Sequence, residues 1–221
     1  RLIYTSSTGA LGVPPKGKLL DEEAVFNLSP RRFPYGHSKH VAEGVVRDAM
    51  ARGLDAVIVN PAAAIGPRDI HWISGSLLRE VRRGWARFAP PGGVCWVDAI
   101  DVGLGHVVAA ERGRAGERYI LGGDNLTHRR ALEIVASAVG KRGPIATLHP
   151  LPMELIAAAV RWISRLSGSS LPFSAEQVWL STREIYCDSS KAVEELGFVQ
   201  TPFRTSVERA YSWYRARRML D

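Results

Sequence analysis

The chain has 221 residues, 46% hydrophobic and 23% charged, with a mean hydropathy of −0.06. This balance excludes a disordered chain and fits a globular one. No run approaches the ~20 consecutive apolar residues of a membrane-crossing helix, and no export signal is visible at the start. The net charge of +7 comes from 24 Arg and five Lys against 22 acidic residues. It would point to nucleic acid or anionic partners only if the charges clustered. Cys95 and Cys187 lie far apart in the sequence. They form neither a disulfide framework nor a zinc site, so a reducing, cytoplasmic setting is expected.

Strand and helix signals alternate through the first two thirds. Leu2–Thr5 is a short apolar run ending in a Ser-Ser-Thr-Gly turn. From Ser38 to Met50 apolar residues recur every three or four positions, predicting an amphipathic helix closed by Gly53. Ala56–Val59 is uninterrupted and apolar, the pattern of a strand covered on both faces. A helix is expected from Ser76 to Phe88, a strand over Val94–Val97, and a helix capped by Asp101. Another strand follows at Arg118–Leu121, then a helix from a Thr127 cap to Val139. This alternation predicts an α/β architecture with right-handed crossovers and a mostly parallel sheet. After Pro144 come a helix over Leu151–Leu166, a loop-rich stretch to 182, a short helix ending at Gly197 and a last helix over Thr205–Met219. Two parts are expected, residues 1–143 and a smaller, mostly helical 144–221.

The sharpest constellation is Tyr35-Gly-His-Ser-Lys39. An i, i+4 spacing puts phenol and ammonium on one helical face, and a nearby ammonium favours the phenolate. Such a Tyr can take a proton from an alcohol or return one to a carbonyl. Upstream, the Leu2–Thr5 strand releases Ser6, Ser7 and Thr8 at its carboxyl edge, where open α/β sheets bind ligands. Downstream, the next strand runs into Asn60-Pro-Ala-Ala-Ala-Ile-Gly-Pro67 at the same edge.

In this order, Leu-Ile-Tyr-Thr-Ser-Ser with Gly12, Tyr35-x-x-x-Lys39 and Asn60-Pro61 with Gly66-Pro67 resemble the extended short-chain dehydrogenase/reductases. The nearest likeness is the branch of dihydroflavonol-4-reductase and hopanoid-associated sugar epimerases. Trp96-Val-Asp98, Gly116–Gly123 with Asn125-Leu-Thr127, and Asp188-Ser-Ser-Lys-Ala with Glu195–Phe198 extend the resemblance along the chain.

The resemblance implies a Rossmann-like doubly wound sheet, a substrate loop at about 68–95 and a helical substrate-binding part. It makes Tyr35 the acid/base, Lys39 the residue holding the nicotinamide ribose, and Ser7 the catalytic hydroxyl, with Ser6 near the nicotinamide. Pro61, Ala62 and Ile65 would pack on the carboxamide of NAD or NADP. Thr8, Asn60, Arg68 and Trp72 are expected to meet a small-molecule substrate, and the Tyr35 helix to pair two copies as a homodimer. The family's Gly-x-x-Gly-x-x-Gly turn, which seats the pyrophosphate on a helix N-terminus, has no counterpart here. The expectation is therefore the C-terminal portion of a reductase or epimerase, and the alternative is a non-catalytic binding remnant of the same fold.

The Arg residues occur as scattered pairs such as Arg82-Arg83 and Arg129-Arg130, a solvated surface rather than a nucleic-acid stripe. Trp85, Trp96, Trp162, Trp179 and Trp213 sit mostly at core spacing. His37 and His71 lie near the expected site without partners at metal-ligand spacing, so no metal is expected.

Overall fold

The computed structural model describes residues 1–153, 155, 158 and 175–220. Most of the helix expected over Leu151–Leu166, with Trp162, lies outside the described residues.

The first sheet has the order β1-β2-β6 and is wholly parallel: β1 (Leu2–Thr5), β2 (Ala56–Pro61) and β6 (Arg118–Leu121). The uninterrupted apolar run falls in the central strand, where Ala56, Val57, Ile58 and Val59 are completely buried. Alternation of side chains along a strand sends them to two separate cores. Ala56 and Ile58 meet Val46 of helix α1 (Pro34–Ala51) on one face. Val57 and Val59 join Ala109 of helix α3 (Ala99–Arg112) and Leu121 on the other. Burying one such Val contributes ~1.5–3 kcal/mol. The doubly wound parallel arrangement is thus present around β2. Among the described residues, β1 has no partner on its outer side.

One residue after β2 the chain enters a second sheet. Its strand β3 (Ala63–Ile65) lies parallel to β5 (Gly93–Asp98), which also pairs antiparallel with β7 (Asp124–Thr127) and parallel with β9 (Glu184–Ile185). Two short strands, β4 (Phe88–Ala89) and β8 (Ala146–Thr147), pair in parallel. A third core gathers around helix α2 (Ser76–Arg82), helix α4 (His128–Ala138) and the C-terminal helix α6 (Phe203–Ala216), centred on Leu78, Val135, Val207 and Tyr214. Helix α5 (Ala175–Leu180) precedes β9.

Several boundaries differ from expectation. Helix α1 begins at Pro34, since proline suits the first helical turn, and this places Tyr35 inside the helix. Helix α2 stops at Arg82 because Gly84 takes a left-handed φ of 77° and turns the chain into β4. Asp98, not Asp101, caps α3: its carboxylate accepts from Ile100 N at 2.7 Å. Asp101 instead accepts from Thr201 N at 2.6 Å and Thr201 Oγ1 at 3.1 Å, tying the segment before α6 to α3.

The tryptophans divide. Trp96 packs on Phe203 and Trp213 meets Tyr214 edge-on. Trp179 lies beneath the guanidinium groups of Arg32 and Arg183. Trp85 is 72% exposed, since the early end of α2 leaves it in a turn. The two cysteines, remote in sequence, come together in one core. Cys95 stands opposite Asn125 in the β5–β7 ladder, and the Asn125 carboxamide clamps the Cys187 backbone with two 2.9 Å bonds. The neighbouring Cys95 thiol and burial both push the Cys187 thiol up.

Candidate active site

The site forms where β1 and β2 end. After Thr5 the chain stays in register long enough for Ser6 N to donate to Val59 O at 2.8 Å. It then turns into a single 3-10 turn over Thr8–Leu11, capped by Ser7, whose Oγ accepts from Gly9 N at 3.1 Å. Space at Gly9 is tight: a Cβ there would lie 3.3 Å from the Phe33 and Tyr35 rings. Without it, the Tyr35 ring lies against the serine turn. Lys39, one helical turn beyond Tyr35, donates from Nζ to Thr5 O at 3.1 Å. The Tyr35 hydroxyl has no hydrogen-bond partner among the described residues, and the side chain is half exposed.

A cavity of about 640 Å³ opens at this edge. Of the residues expected at the site, Ser7, Thr8, Tyr35, Ala62 and Arg68 line it. Lys39 lies behind them at the end of β1. Ser6 is buried with its Oγ unpartnered, and Pro61 and Ile65 are in strands β2 and β3 outside the cavity lining. Asn60 lies completely inside the protein, where its Nδ2 donates to Ser7 O at 3.0 Å and to Glu43 Oε1 at 2.7 Å. Its position supports the serine turn rather than facing the cavity.

Trp72 also sits away from the cavity. It stacks on Tyr214 at 4.3 Å, nearly parallel, with the Arg79 guanidinium 4.8 Å over its ring. It belongs to a tightly wound loop in which Arg68 and Trp72 take left-handed φ values of 73° and 57°, conformations that cost non-glycine residues energy. Asp69 holds this loop: its carboxylate accepts from the amides of Ile73, Ser74 and Gly75 at 2.9–3.0 Å. Burial works to raise the Asp69 pKa, but these donors outweigh it and hold the carboxyl below its ordinary value. The Tyr214 hydroxyl donates to Asp69 O at 2.7 Å, and burial pushes that phenol's pKa up. The loop thereby delivers Arg68 to the cavity, where its guanidinium has no ion-pair partner among the described residues.

Sequence reasoning missed Glu43, Asp69, Ile73 and Val94. A buried carboxylate on an amphipathic helix looks like any surface glutamate, and the loop residues carry no periodic signal. The one available clue was Glu43 itself, which falls on the face of α1 that carries Val46.

Comparison with known proteins agrees with this architecture. Residues 1–122 match the model of the NAD dependent epimerase/dehydratase family. The chain is 33% identical over 225 residues to a putative dihydroflavonol 4-reductase of Synechocystis sp., covering 97% of this chain and 64% of that protein. It is 31% identical over 223 residues to sterol demethylase protein B of Methylococcus capsulatus, covering 100% and 68%. The chain therefore spans about two thirds of the length of these relatives. Among solved structures, that of gox2253 superposes with a TM-score of 0.84 at 31% identity, covering 99% of this chain and 67% of that one. PA4631, a nucleoside-diphosphate-sugar epimerase from Pseudomonas aeruginosa, superposes with a TM-score of 0.82 at 26% identity, covering 100% and 68%. With its Ser7 turn, Tyr35 helix and Asn60-Pro61 strand end inside the matched region, the chain belongs to the NAD dependent epimerase/dehydratase family.

Proposed function

We propose that this chain carries the proton-transfer and substrate side of a nicotinamide-dependent reductase or epimerase acting on a carbonyl or alcohol. The observation that carries the reading is that Ser7 and Tyr35 line one cavity at the carboxyl edge of β1 and β2. Ser7 Oγ already accepts from Gly9 N, so its remaining hydrogen is available to a substrate oxygen. Tyr35, with no competing partner, passes a proton to or from that same oxygen. Lys39 anchors to Thr5 O, holding its charge beside the Tyr35 helix turn.

The residues fit one end of NAD or NADP. The unpartnered, buried Ser6 Oγ and the small side chains Ala62–Ala64 on the cavity wall suit the flat nicotinamide with its ribose near Tyr35 and Lys39. When bound, the nicotinamide supplies the hydride chemistry. No glycine-rich turn for the pyrophosphate occurs in these 221 residues. The unpaired outer side of β1 and the two-thirds coverage of relatives support a pyrophosphate cradle contributed from outside this segment. Val41 and Val45, 50% and 65% exposed one turn apart on α1, support pairing of two copies through that helix.

The test uses the longest open reading frame containing these residues. NADH and NADPH binding is followed by nicotinamide fluorescence, and turnover by loss of nicotinamide absorbance with a carbonyl substrate. Tyr35→Phe should lower kcat by ~10²–10⁴-fold while leaving cofactor affinity nearly unchanged. Wild-type turnover in that variant would overturn the assignment. Absence of NADH and NADPH binding would favour a non-catalytic role.

A further inference from the structure

Beside the Ser7–Tyr35 cavity lies a second one of about 430 Å³, and both are lined by Ile73, Ser74, Val94 and Ile185. The four shared wall residues set the second cavity, a side lobe of the site, directly against the first. Beyond the shared wall the second lobe is largely apolar, with Leu77, Trp96 and Leu180, and Glu80 and His128 line it beside the neutral Ser76, Gln177 and Ser181.

Both have unused hydrogen-bonding capacity: neither the Glu80 carboxylate nor the His128 ring has a side-chain partner among the described residues. His128 opens α4, and the surrounding protein, by desolvating it, pushes its pKa down to about 4. At neutral pH its imidazole is uncharged, with one donor and one acceptor nitrogen. Among the described lining residues of this lobe there is no Lys or Arg. A phosphate is held by cationic forks or convergent amides, whereas this lobe offers a carboxylate that repels it.

We propose that the second lobe is the subsite for the far end of the substrate and takes an uncharged, largely apolar group bearing a hydroxyl, which donates to Glu80 or His128. This deepens the reading of Ser7 and Tyr35 as the reacting end and rests on it for the direction of the substrate. It assigns Glu80 and His128 as residues that select the substrate, distinct from those that move its proton.

Two neutral ketones and one nucleotide serve as probes: para-hydroxybenzylacetone, benzylacetone, which differs only in lacking the hydroxyl, and UDP. Binding is followed by tryptophan fluorescence and by saturation-transfer NMR. The hydroxylated ketone should bind about tenfold more tightly than benzylacetone, the gain of one good hydrogen bond to a charged acceptor. At least one of Glu80→Gln and His128→Phe should shrink that preference, and UDP should not displace the ketone. Equal affinity for the two ketones, displacement by UDP, or no binding of either ketone at millimolar concentration would each overturn the proposal. The comparison of the two ketones on the unaltered protein decides it even where a variant fails to fold. Because binding needs no chemistry, the preference should persist in Tyr35→Phe. Failure of the catalytic reading would appear as unchanged turnover in that variant, a separate result.

Discussion

The Glu43 carboxylate accepts a hydrogen bond from Asn60 Nδ2 at 2.7 Å, and both side chains are sealed from solvent. Arg118, 3.4 Å away, and Arg47, 3.7 Å away, balance the buried charge. Asn60 then passes the constraint to the Ser7 carbonyl. A helix, a strand and the serine turn are thereby locked by one acidic residue.

Removing one partner of a buried pair leaves the other uncompensated, at a cost of ~3–5 kcal/mol. Glu43→Ala should fall near the lower end, because Arg118 retains partial solvent access, while Glu43→Gln keeps an acceptor for Asn60 and should lose ~1 kcal/mol less than Glu43→Ala. Urea unfolding monitored by far-ultraviolet circular dichroism separates the two. Equal stabilities for both variants would deny the Asn60 hydrogen bond its share, because both variants remove the charge.

Gly75 is helical in φ, so its lack of a side chain serves space alone. A Cβ there would overlap the Tyr214 hydroxyl and crowd the ring, with Cε2 only 2.8 Å away. Gly75→Ala should therefore destabilise by ~1–3 kcal/mol, the usual cost of overpacking. Tyr214→Phe alone should lose ~1 kcal/mol with its bond to Asp69. Combined, the two should cost less than their sum, since the hydroxyl that clashes is gone. Additive losses in thermal unfolding would place the strain elsewhere.

His128 titrates near 4 in the folded chain against ~6.5 unfolded. Between these values the unfolded state binds more protons, so stability rises with pH. The contribution is fully present above pH ~6.5 and is lost as pH falls through about 4, amounting to at most ~3 kcal/mol. His128→Phe should flatten this part of the stability–pH curve without altering it above neutrality. An unchanged acid slope in the variant would show that the imidazole is charged in the folded protein.

The sequence spoke most clearly where burial is two-sided or a cap is local. The Ala56–Val59 run and the Thr127 cap are found where their residues predict. The two- to four-residue strands β3, β4, β7, β8 and β9 were invisible, because so few residues show no periodicity and their pairing is decided by distant partners. Asp98 and Asp101 illustrate a nearer ambiguity. Both suit a cap, and the choice depends on Thr201, a hundred residues away. In the candidate site, the strand edge pointed to the Ser6–Thr8 cluster and the helix spacing to Tyr35, while the choice of Ser7 rested on the family resemblance; Ser7 and Tyr35 line one cavity. Glu43 and His128 were not, since their environment comes from other elements. Trp72 packs on Tyr214 outside the cavity lining, since a loop aromatic near a site is as readily used to brace the loop as to meet a ligand.

Between the last residue of β2 and the first of β3 stands a single residue, Ala62. One continuous segment is thus woven into two sheets, and rotation of one sheet against the other bears on the backbone of Ala62 and on Gly122-Gly123, the link from β6 to β7. Ala62 also lines the cavity. At Ala62 a joint between the sheets and the wall of the cavity are the same few atoms, so a filled cavity stiffens that joint and a flexed joint reshapes the cavity.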